Sequence, residues 1–313
     1  MCVKENQILN IFPNRIRERF VQTASKMDEL QEIRLQAGGP VRALCGGREF
    51  FVTVRGELTR IMGGSCWYMT PGEMEQILNH LCSYSRYAHE EDIRQGFLTV
   101  PGGHRVGIAG QVLLGEDGRI RNMKYIRCMN IRISHEICGA ADLLMPLIHE
   151  NGRLLHTLII SPPGCGKTTM LRDLIRQISN GSRWAAGKQV GVVDERSEIG
   201  GSYMGMPTND LGIRTDLLDA CPKDQGIMML VRSMAPEVIA VDEVGGAGDR
   251  EAILQALQCG CGLIATMHGE SMADVTSRGL DGAVFERFAF LGKRDGKCAL
   301  LLVRGREGAE IYA

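Results

Sequence analysis

The chain has 313 residues, of which 44% are hydrophobic and 23% charged, as in ordinary globular proteins with a sizeable core. Its 36 basic and 37 acidic side chains give a net charge of −1, so no basic surplus favours nucleic acid as a partner. The eleven cysteines show neither zinc-ligand spacing nor a disulfide framework, which is typical of a reduced cytosolic chain. No apolar run reaches signal-peptide or membrane-spanning length, so we expect a cytoplasmic protein without direct membrane insertion.

The first half of the chain predicts a small α+β domain. Apolar residues at helical spacing precede Pro13, which is expected to begin a second helix. Alternation over residues 30–44 and a turn near Arg55-Gly56 predict strands and a hairpin. The sequence TPGE at 70–73 is a capping box at the start of a further helix. Two strands separated by glycine turns follow residue 96.

A different pattern begins near Leu154, where short apolar strands alternate with helices. The run LLHTLII is continuously apolar apart from one His-Thr pair, as in a parallel strand buried on both faces. Further strands are predicted in VGVVD, VIAVD and LIATMH, and a hairpin is predicted at Asp295-Gly296. This alternation indicates a doubly wound α/β domain, in which functional residues lie at the carboxyl ends of the strands.

The sequence SPPGCGKTT, residues 161–169, connects such a strand to a helix expected to begin near Lys167. It matches the phosphate-loop pattern G-x-x-x-x-G-K-[ST] except at Ser161, which stands at the bend before the phosphates. Backbone N–H groups of such a loop and the helix N-terminus form a concave polyphosphate site. Lys167 is predicted to reach the β- and γ-phosphates, and Thr168 to bind Mg²⁺. The predicted nucleotide-binding residues are Pro163, Gly164, Cys165, Gly166, Lys167, Thr168 and Thr169.

Acidic residues follow two other predicted strands. Asp242 is predicted to bind Mg²⁺, and Glu243 to orient or deprotonate a water molecule. Asp194, Glu195 and Glu198 end another strand and are expected to face the same crevice. In both places the alternative is an ordinary strand end where acids meet solvent.

One histidine and five arginines complete the set of candidates. His268 follows a further strand and is placed to contact the γ-phosphate, with a purely structural role as the alternative. An arginine close before the Asp242 strand is a candidate clamp for the transition state, worth about three to five orders of magnitude in rate. The candidate arginines are Arg105, Arg127, Arg132, Arg214 and Arg232.

These motifs together resemble a known superfamily. D-E-x-x-E at 194–198, R-x-x-x-P at 232–236 and T-x-H at 266–268 resemble the acidic and histidine boxes of secretion ATPases, which drive type II and type IV secretion and pilus motors. The motifs EIRLQAGGPVRAL and GGHRVGIAG are similar to the N-terminal domain of those motors. With NIRISHE and GIRTDLLDACPK, the likeness is specific to the stage III sporulation protein AA family and spans about residues 28–304.

The resemblance implies a RecA-like P-loop NTPase core, a mostly parallel sheet with helices on both faces, preceded by a smaller α+β domain. The boundaries are then 1–135 for the N-terminal domain, 136–153 for a linker and helix, and 154–313 for the core. It implies a Mg²⁺-dependent ATPase in the mother cell of a spore-forming bacterium. Such an enzyme would energise a channel complex joining mother cell to forespore, through membrane-embedded partners.

The resemblance also implies a homohexamer in which Arg105, Arg127 and Arg132 complete a neighbour's site. Asp194-Glu195 stands where the motor relatives carry Glu-Asp, so the acid that activates water stays open between Glu243 and this pair. A phosphate loop is also compatible with two other functions: a nucleotide-binding assembly scaffold with little turnover, and a nucleic-acid-dependent ATPase. Acids at two further strand ends favour the motor, and the neutral charge and sparse aromatic residues count against nucleic acid.

Overall fold

The computed structural model describes residues 8–312 except 27, 84, 86–88, 117, 136, 204 and 281. The chain divides into two compact units, Met1–His135 and Glu136–Ala313. The segment 136–153, predicted as a linker and helix, belongs to the second unit, and its residues Ala141, Leu144, Met145 and Ile148 are buried in that unit's core. A 3₁₀ turn, Met145–Ile148, stands where the helix was expected. Of the helices described, none is both long and apolar enough to cross a membrane.

The first unit is built on a seven-stranded antiparallel sheet in the order β4-β3-β2-β1-β7-β6-β5. Buried side chains of the sheet and helices form one hydrophobic core. Its elements are α1 (Asn14–Arg17), α2 (Val21–Ala24), β1 (Leu30–Gln36), β2 (Arg42–Cys45), β3 (Arg48–Val52), β4 (Leu58–Thr59), α3 (Pro71–Leu81), α4 (Glu90–Gln95), β5 (Phe97–Val100), β6 (His104–Leu114) and β7 (Ile120–Arg132).

The local signals in this unit act as the sequence predicts. Pro13 is the N-cap of α1, since its fixed φ and missing N–H suit a helix start. At α3 the Thr70 hydroxyl accepts from the Glu73 N–H at 3.2 Å, and the Glu73 carboxylate accepts from the Thr70 N–H at 2.8 Å. The turn near Arg55-Gly56 joins β3 to β4 as an antiparallel pair. These expectations are confirmed.

The second unit contains an eight-stranded sheet in the order β12-β11-β13-β14-β10-β15-β16-β17, whose strands from β12 to β15 run parallel. A small two-stranded ladder, β8–β9, precedes it. The sequence pattern predicts neither β12 nor α6. The elements are β8 (His149–Glu150), β9 (Arg153–Leu154), β10 (Thr157–Ser161), α5 (Lys167–Asn180), β11 (Val190–Asp194), β12 (Thr215–Asp219), α6 (Lys223–Met234), β13 (Val238–Val241), α7 (Ala247–Gln258), β14 (Gly262–His268), α8 (Met272–Ser277), β15 (Arg287–Arg294), β16 (Lys297–Gly305) and β17 (Glu310–Tyr312).

Helices cover both faces of this sheet. The apolar side of α5 packs in one core cluster with Ile159 of β10, whereas α6 and α7 pack in a second cluster with Leu158 and Ile160. Adjacent residues of one strand thus enter different cores, which explains why β10 is apolar on both sides. The predicted α/β core with a mostly parallel sheet is confirmed, and β10, β11, β13 and β14 all end at one edge.

Asp173 on α5 joins this helix to the segment before β8. Its buried carboxylate accepts from the Ala141 N–H at 2.8 Å, from Arg176 Nε at 3.0 Å and from Gln177 Nε2 at 2.9 Å. Burial alone would raise the pKa of Asp173, but these hydrogen bonds outweigh burial and hold its pKa below the ordinary value.

Replacing Asp173 with Asn is expected to lower the free energy of unfolding at pH 7 by about 2 kcal/mol, because buried donors lose a charged acceptor. The stabilisation from Asp173 is fully present above the pKa of the unfolded chain, about 4, and is lost as pH falls through the lower folded value. Urea unfolding across pH 2–7 measures both effects. Asp142→Asn, which alters an exposed acceptor of Gln177, is the matched control and is expected to change little.

Candidate active site

The loop between β10 and α5 has the geometry of a phosphate cradle. Ser161 is the last residue of β10, buried, with its hydroxyl bonded to the Pro162 carbonyl at 2.8 Å. Gly164 and Gly166 have φ of +70° and +85°, a conformation that glycine adopts without strain. Helix α5 then begins at Lys167. Ser161 therefore precedes the cradle, and the missing first glycine leaves the loop intact.

Lys167 and His268 meet because β10 and β14 end side by side, with Ser161 in register with His268. The Lys167 ammonium donates to His268 Nδ1 at 3.0 Å, so the ring proton lies on Nε2, which donates to Glu243 Oε1 at 2.8 Å. Burial lowers the pKa of Lys167, and the carboxylates of Asp242 and Glu243 oppose this shift. A buried amine thus lies at the start of α5, linked through histidine to an acid.

The backbone of Glu243 is held in an unusual conformation. Its φ is +50°, which costs a non-glycine residue about 1–3 kcal/mol. The Glu243 N–H donates to Asp242 Oδ1 at 3.0 Å and to Thr266 Oγ1 at 2.9 Å. Burial raises the pKa of Glu243, but the hydrogen bond from His268 and the charges of Arg196 and Lys167 outweigh it, so the pKa lies below its ordinary value. The Glu243 carboxylate is therefore fixed in place and ionised at neutral pH.

Thr168 and Asp242 bring two oxygens together beside the loop. The Thr168 hydroxyl donates to Asp242 Oδ2 at 2.8 Å, and Asp242 Oδ1 accepts a short hydrogen bond from Thr266. Hydroxyl and carboxylate oxygens are the ligands that Mg²⁺ prefers, usually together with substrate phosphates. These two residues fit the predicted metal.

Asp194 builds the loop that follows β11. It is buried, and its carboxylate accepts from the N–H groups of Glu198, Ile199 and Gly200 at 2.9, 2.8 and 2.8 Å. Burial raises the pKa of Asp194, the backbone hydrogen bonds oppose this shift, and the charge of Asp219 adds to it. Both carboxylate oxygens are thus occupied by backbone, which gives Asp194 a structural task in this loop.

The acids at the ends of β11 and β13 line one cleft, together with two basic residues that were not predicted from the sequence. Glu195 forms an ion pair with Lys223, and Arg196 Nη1 lies 2.6 Å from Glu243 Oε2. Arg196 and Lys223 both follow strands, β11 and β12, so the rule applied to the acids would have found them. Glu198 also lines the cleft, and its carbonyl accepts from Arg172 at 2.8 Å.

Two of the candidate arginines lie away from this cleft. Arg214 and Arg232 precede β12 and β13, and residues before parallel strands lie at the opposite edge of the sheet. Arg214 Nη1 donates to the Ser179 carbonyl at 2.9 Å, about 18 Å along α5 from Lys167. Arg232 is exposed in the last turn of α6, about 14 Å along that helix from Lys223. The structure does not bring either arginine to the cleft of its own chain.

The other three arginines belong to the first unit. Arg105 and Arg132 face each other across β6 and β7, and the Arg105 guanidinium lies 4.0 Å from the centre of the Phe97 ring. Arg127 lines a cavity of about 710 Å³ beside Tyr125. Their predicted task concerns an assembly of chains and stays a prediction.

A second cavity, of about 380 Å³, adjoins the phosphate loop at Gly166 and Thr169. Cys298 lines this cavity and also contacts the loop, with its sulfur 3.6 Å from the Gly164 carbonyl. The lining is mostly apolar, which suits a flat ring system better than phosphate. The remaining lining residues are Ile137, Ala140, Leu143, Cys165, Met170, Leu291, Arg294, Ala299, Leu300 and Tyr312.

A buried strand, a phosphate loop, a helix and acids at neighbouring strand ends define a RecA-like P-loop NTPase core. Solved structures agree. The chain is similar to the pilus retraction motor PilT with bound ADP at a TM-score of 0.60 and 15% identity, covering 90% of this chain and 80% of that one. It is similar to the ATPase DotB of Legionella pneumophila at a TM-score of 0.56 and 16% identity, covering 94% and 82%. At these identities the likeness shows the fold.

The chain belongs to the family described as Sporulation stage III, protein AA, whose model matches residues 2–311. It is 36% identical over 309 residues to Stage III sporulation protein AA of Bacillus subtilis (strain 168), covering 97% of this chain and 96% of that protein. The family resemblance inferred from the motifs is confirmed.

Proposed function

We propose that the protein is an ATP-hydrolysing motor of the secretion type that works during sporulation. Its turnover would energise assembly of, or transport through, a channel complex joining mother cell to forespore. The observation that carries the proposal is the hydrogen-bonded chain Lys167–His268–Glu243 beside the Thr168–Asp242 pair. A loop that only binds phosphate needs no fixed acid, whereas hydrolysis needs one next to the phosphates.

ATP would bind with its phosphates on the loop and its base in the 380 Å³ cavity. The N–H groups of residues 164–169 and the Lys167 ammonium supply positive potential for the β- and γ-phosphates. The apolar lining near Thr169 and Met170 would hold the base by contact. Thr168 and Asp242 would hold Mg²⁺, which neutralises charge on the phosphates when bound.

Glu243 is the candidate that acts on the attacking water. His268 and Arg196 fix its carboxylate, and the lowered pKa of Glu243 keeps it ionised and able to accept a hydrogen bond. Lys167 would turn from His268 Nδ1 to the γ-phosphate, so ATP binding would change the hydrogen bonding of His268 and, through it, of Glu243. Arg105, Arg127 and Arg132 of a neighbouring chain in a hexamer would add positive charge. We place the motor in the mother-cell cytoplasm, acting on membrane-embedded partners.

Thr168→Ala is expected to raise the Mg²⁺ concentration for half-maximal turnover at least about tenfold, because it removes one metal ligand. Thr168→Ser keeps the hydroxyl and is expected to stay within about threefold of the wild type. Phosphate release by the purified chain, titrated with Mg²⁺ at saturating ATP, measures both. ATP binding without turnover in the wild type would instead identify an assembly scaffold, and strong stimulation by single-stranded DNA or RNA would identify a nucleic-acid-dependent ATPase.

A further inference from the structure

Each carboxylate oxygen of Glu243 accepts a hydrogen bond, and the two donors lie at the ends of different strands. His268 at the end of β14 donates to Oε1 at 2.8 Å, and Arg196 in the turn after β11 donates to Oε2 at 2.6 Å. Two donors on opposite oxygens fix the plane of a carboxylate, whereas one donor leaves it free to rotate. Each oxygen keeps a second lone pair, which can accept a hydrogen bond from a water molecule.

The turn that carries Arg196 is anchored at every neighbouring residue. Glu195 is paired with Lys223 of α6, and the Ser197 hydroxyl donates to Asp219 Oδ1 at 2.7 Å. Ser197 has a φ of +54°, a conformation that needs support in a non-glycine residue. The buried Asp194 carboxylate binds the N–H groups at the end of the same turn.

Arg196 itself is 64% exposed, so its ion pair with Glu243 contributes little to the stability of the fold. An anchored turn that directs a flexible, exposed side chain onto one acid is an arrangement for orienting that acid. We propose that Arg196 is a positioning residue that holds Glu243 in the orientation needed to align water for attack on the γ-phosphate. This inference rests on the proposed ATP hydrolysis.

Arg196→Ala is expected to lower kcat for ATP about 10- to 100-fold with KM changed less than about threefold, since the phosphate cradle is intact and only alignment is lost. Arg196→Lys keeps a cation at this position and is expected to recover part of kcat. Arg153→Ala is the matched control. It removes an arginine that forms an exposed ion pair with Glu286 at 2.8 Å, at the amino edge of the same sheet, and is expected to leave kcat unchanged.

A second measurement does not depend on turnover. The chain has seven histidines, so ring ¹⁵N signals of histidine-labelled protein are few, and loss of one signal in His268→Gln assigns His268. Arg196→Ala is expected to shift the His268 signal through movement of Glu243, while Arg153→Ala leaves it in place. An unmoved His268 signal overturns the inference even if the wild type hydrolyses ATP. A raised KM with unchanged kcat also overturns it, because Arg196 would then bind nucleotide.

A wild type that binds ATP but releases no phosphate would contradict the proposed function, and this result is distinct from a failure of the Arg196 inference. In that case the His268 signal alone decides whether Arg196 orients Glu243. A shifted signal supports the contact, and an unshifted one refutes it.

Discussion

Glu243→Gln is expected to lower the turnover number for ATP by about 10²- to 10⁴-fold while nucleotide affinity stays within about threefold. Glutamine keeps the size of the side chain, but its single carbonyl oxygen can accept from only one of the two donors, His268 or Arg196, and it cannot accept a proton. Steady-state phosphate release and titration with a fluorescent ATP analogue separate the two quantities. The protein is expected to stay folded, since the carboxylate is partly exposed.

Glu195→Gln is the matched control for this substitution, because Glu195 lies in the same cleft but is paired with Lys223. A loss of less than about tenfold is expected for this variant. If Glu195→Gln abolished turnover while Glu243→Gln left it within a factor of about three, the acid after β11 would be the one that activates water. The assignment of Glu243 would then be wrong.

Lys167→Ala is expected to reduce turnover by at least about 100-fold and to weaken nucleotide binding as well, because it removes the buried cation at the phosphate loop. This double loss distinguishes Lys167 from Glu243, whose substitution spares affinity. Calorimetric titration with ADP and with a non-hydrolysable ATP analogue measures binding directly, and the γ-phosphate contact predicts the larger loss for the analogue.

Lys188→Ala provides the control for Lys167→Ala. Lys188 pairs with Glu237 at 3.0 Å ahead of β11 and β13, at the amino edge of the same sheet. It is expected to bind and hydrolyse ATP as the wild type does. Unchanged ADP affinity in Lys167→Ala would show that the loop is not the nucleotide site.

Much of the site follows from the sequence because parallel strands end at a common edge. That rule alone places Lys167, Asp242, Glu195 and His268 near one another, since each follows a strand of the same sheet. It equally explains the misplaced arginines. Arg214 precedes β12 and Arg232 precedes β13, so both lie at the opposite edge from the carboxyl ends of the strands.

Other features depend on side-chain geometry that no pattern encodes. The contact of Arg196 with Glu243 joins two loops far apart in the chain, and the positive φ of Glu243 depends on support from Thr266. The role of Asp194 as an acceptor for three N–H groups likewise appears only when the turn around it is built. Residue type suggested catalysis there, whereas burial and hydrogen bonding assign a structural role.

ATP turnover of the purified wild-type chain across protein concentration tests most directly whether the protein is a motor with shared sites, when the oligomeric state is measured in the same samples by light scattering. If neighbouring chains complete each site, turnover per chain should rise with the fraction of hexamer, and Glu243→Gln should remove it at every concentration. Full turnover by a monomer would contradict the shared site. Absence of Mg²⁺-dependent turnover at concentrations where hexamer forms and ATP binds would contradict the motor itself.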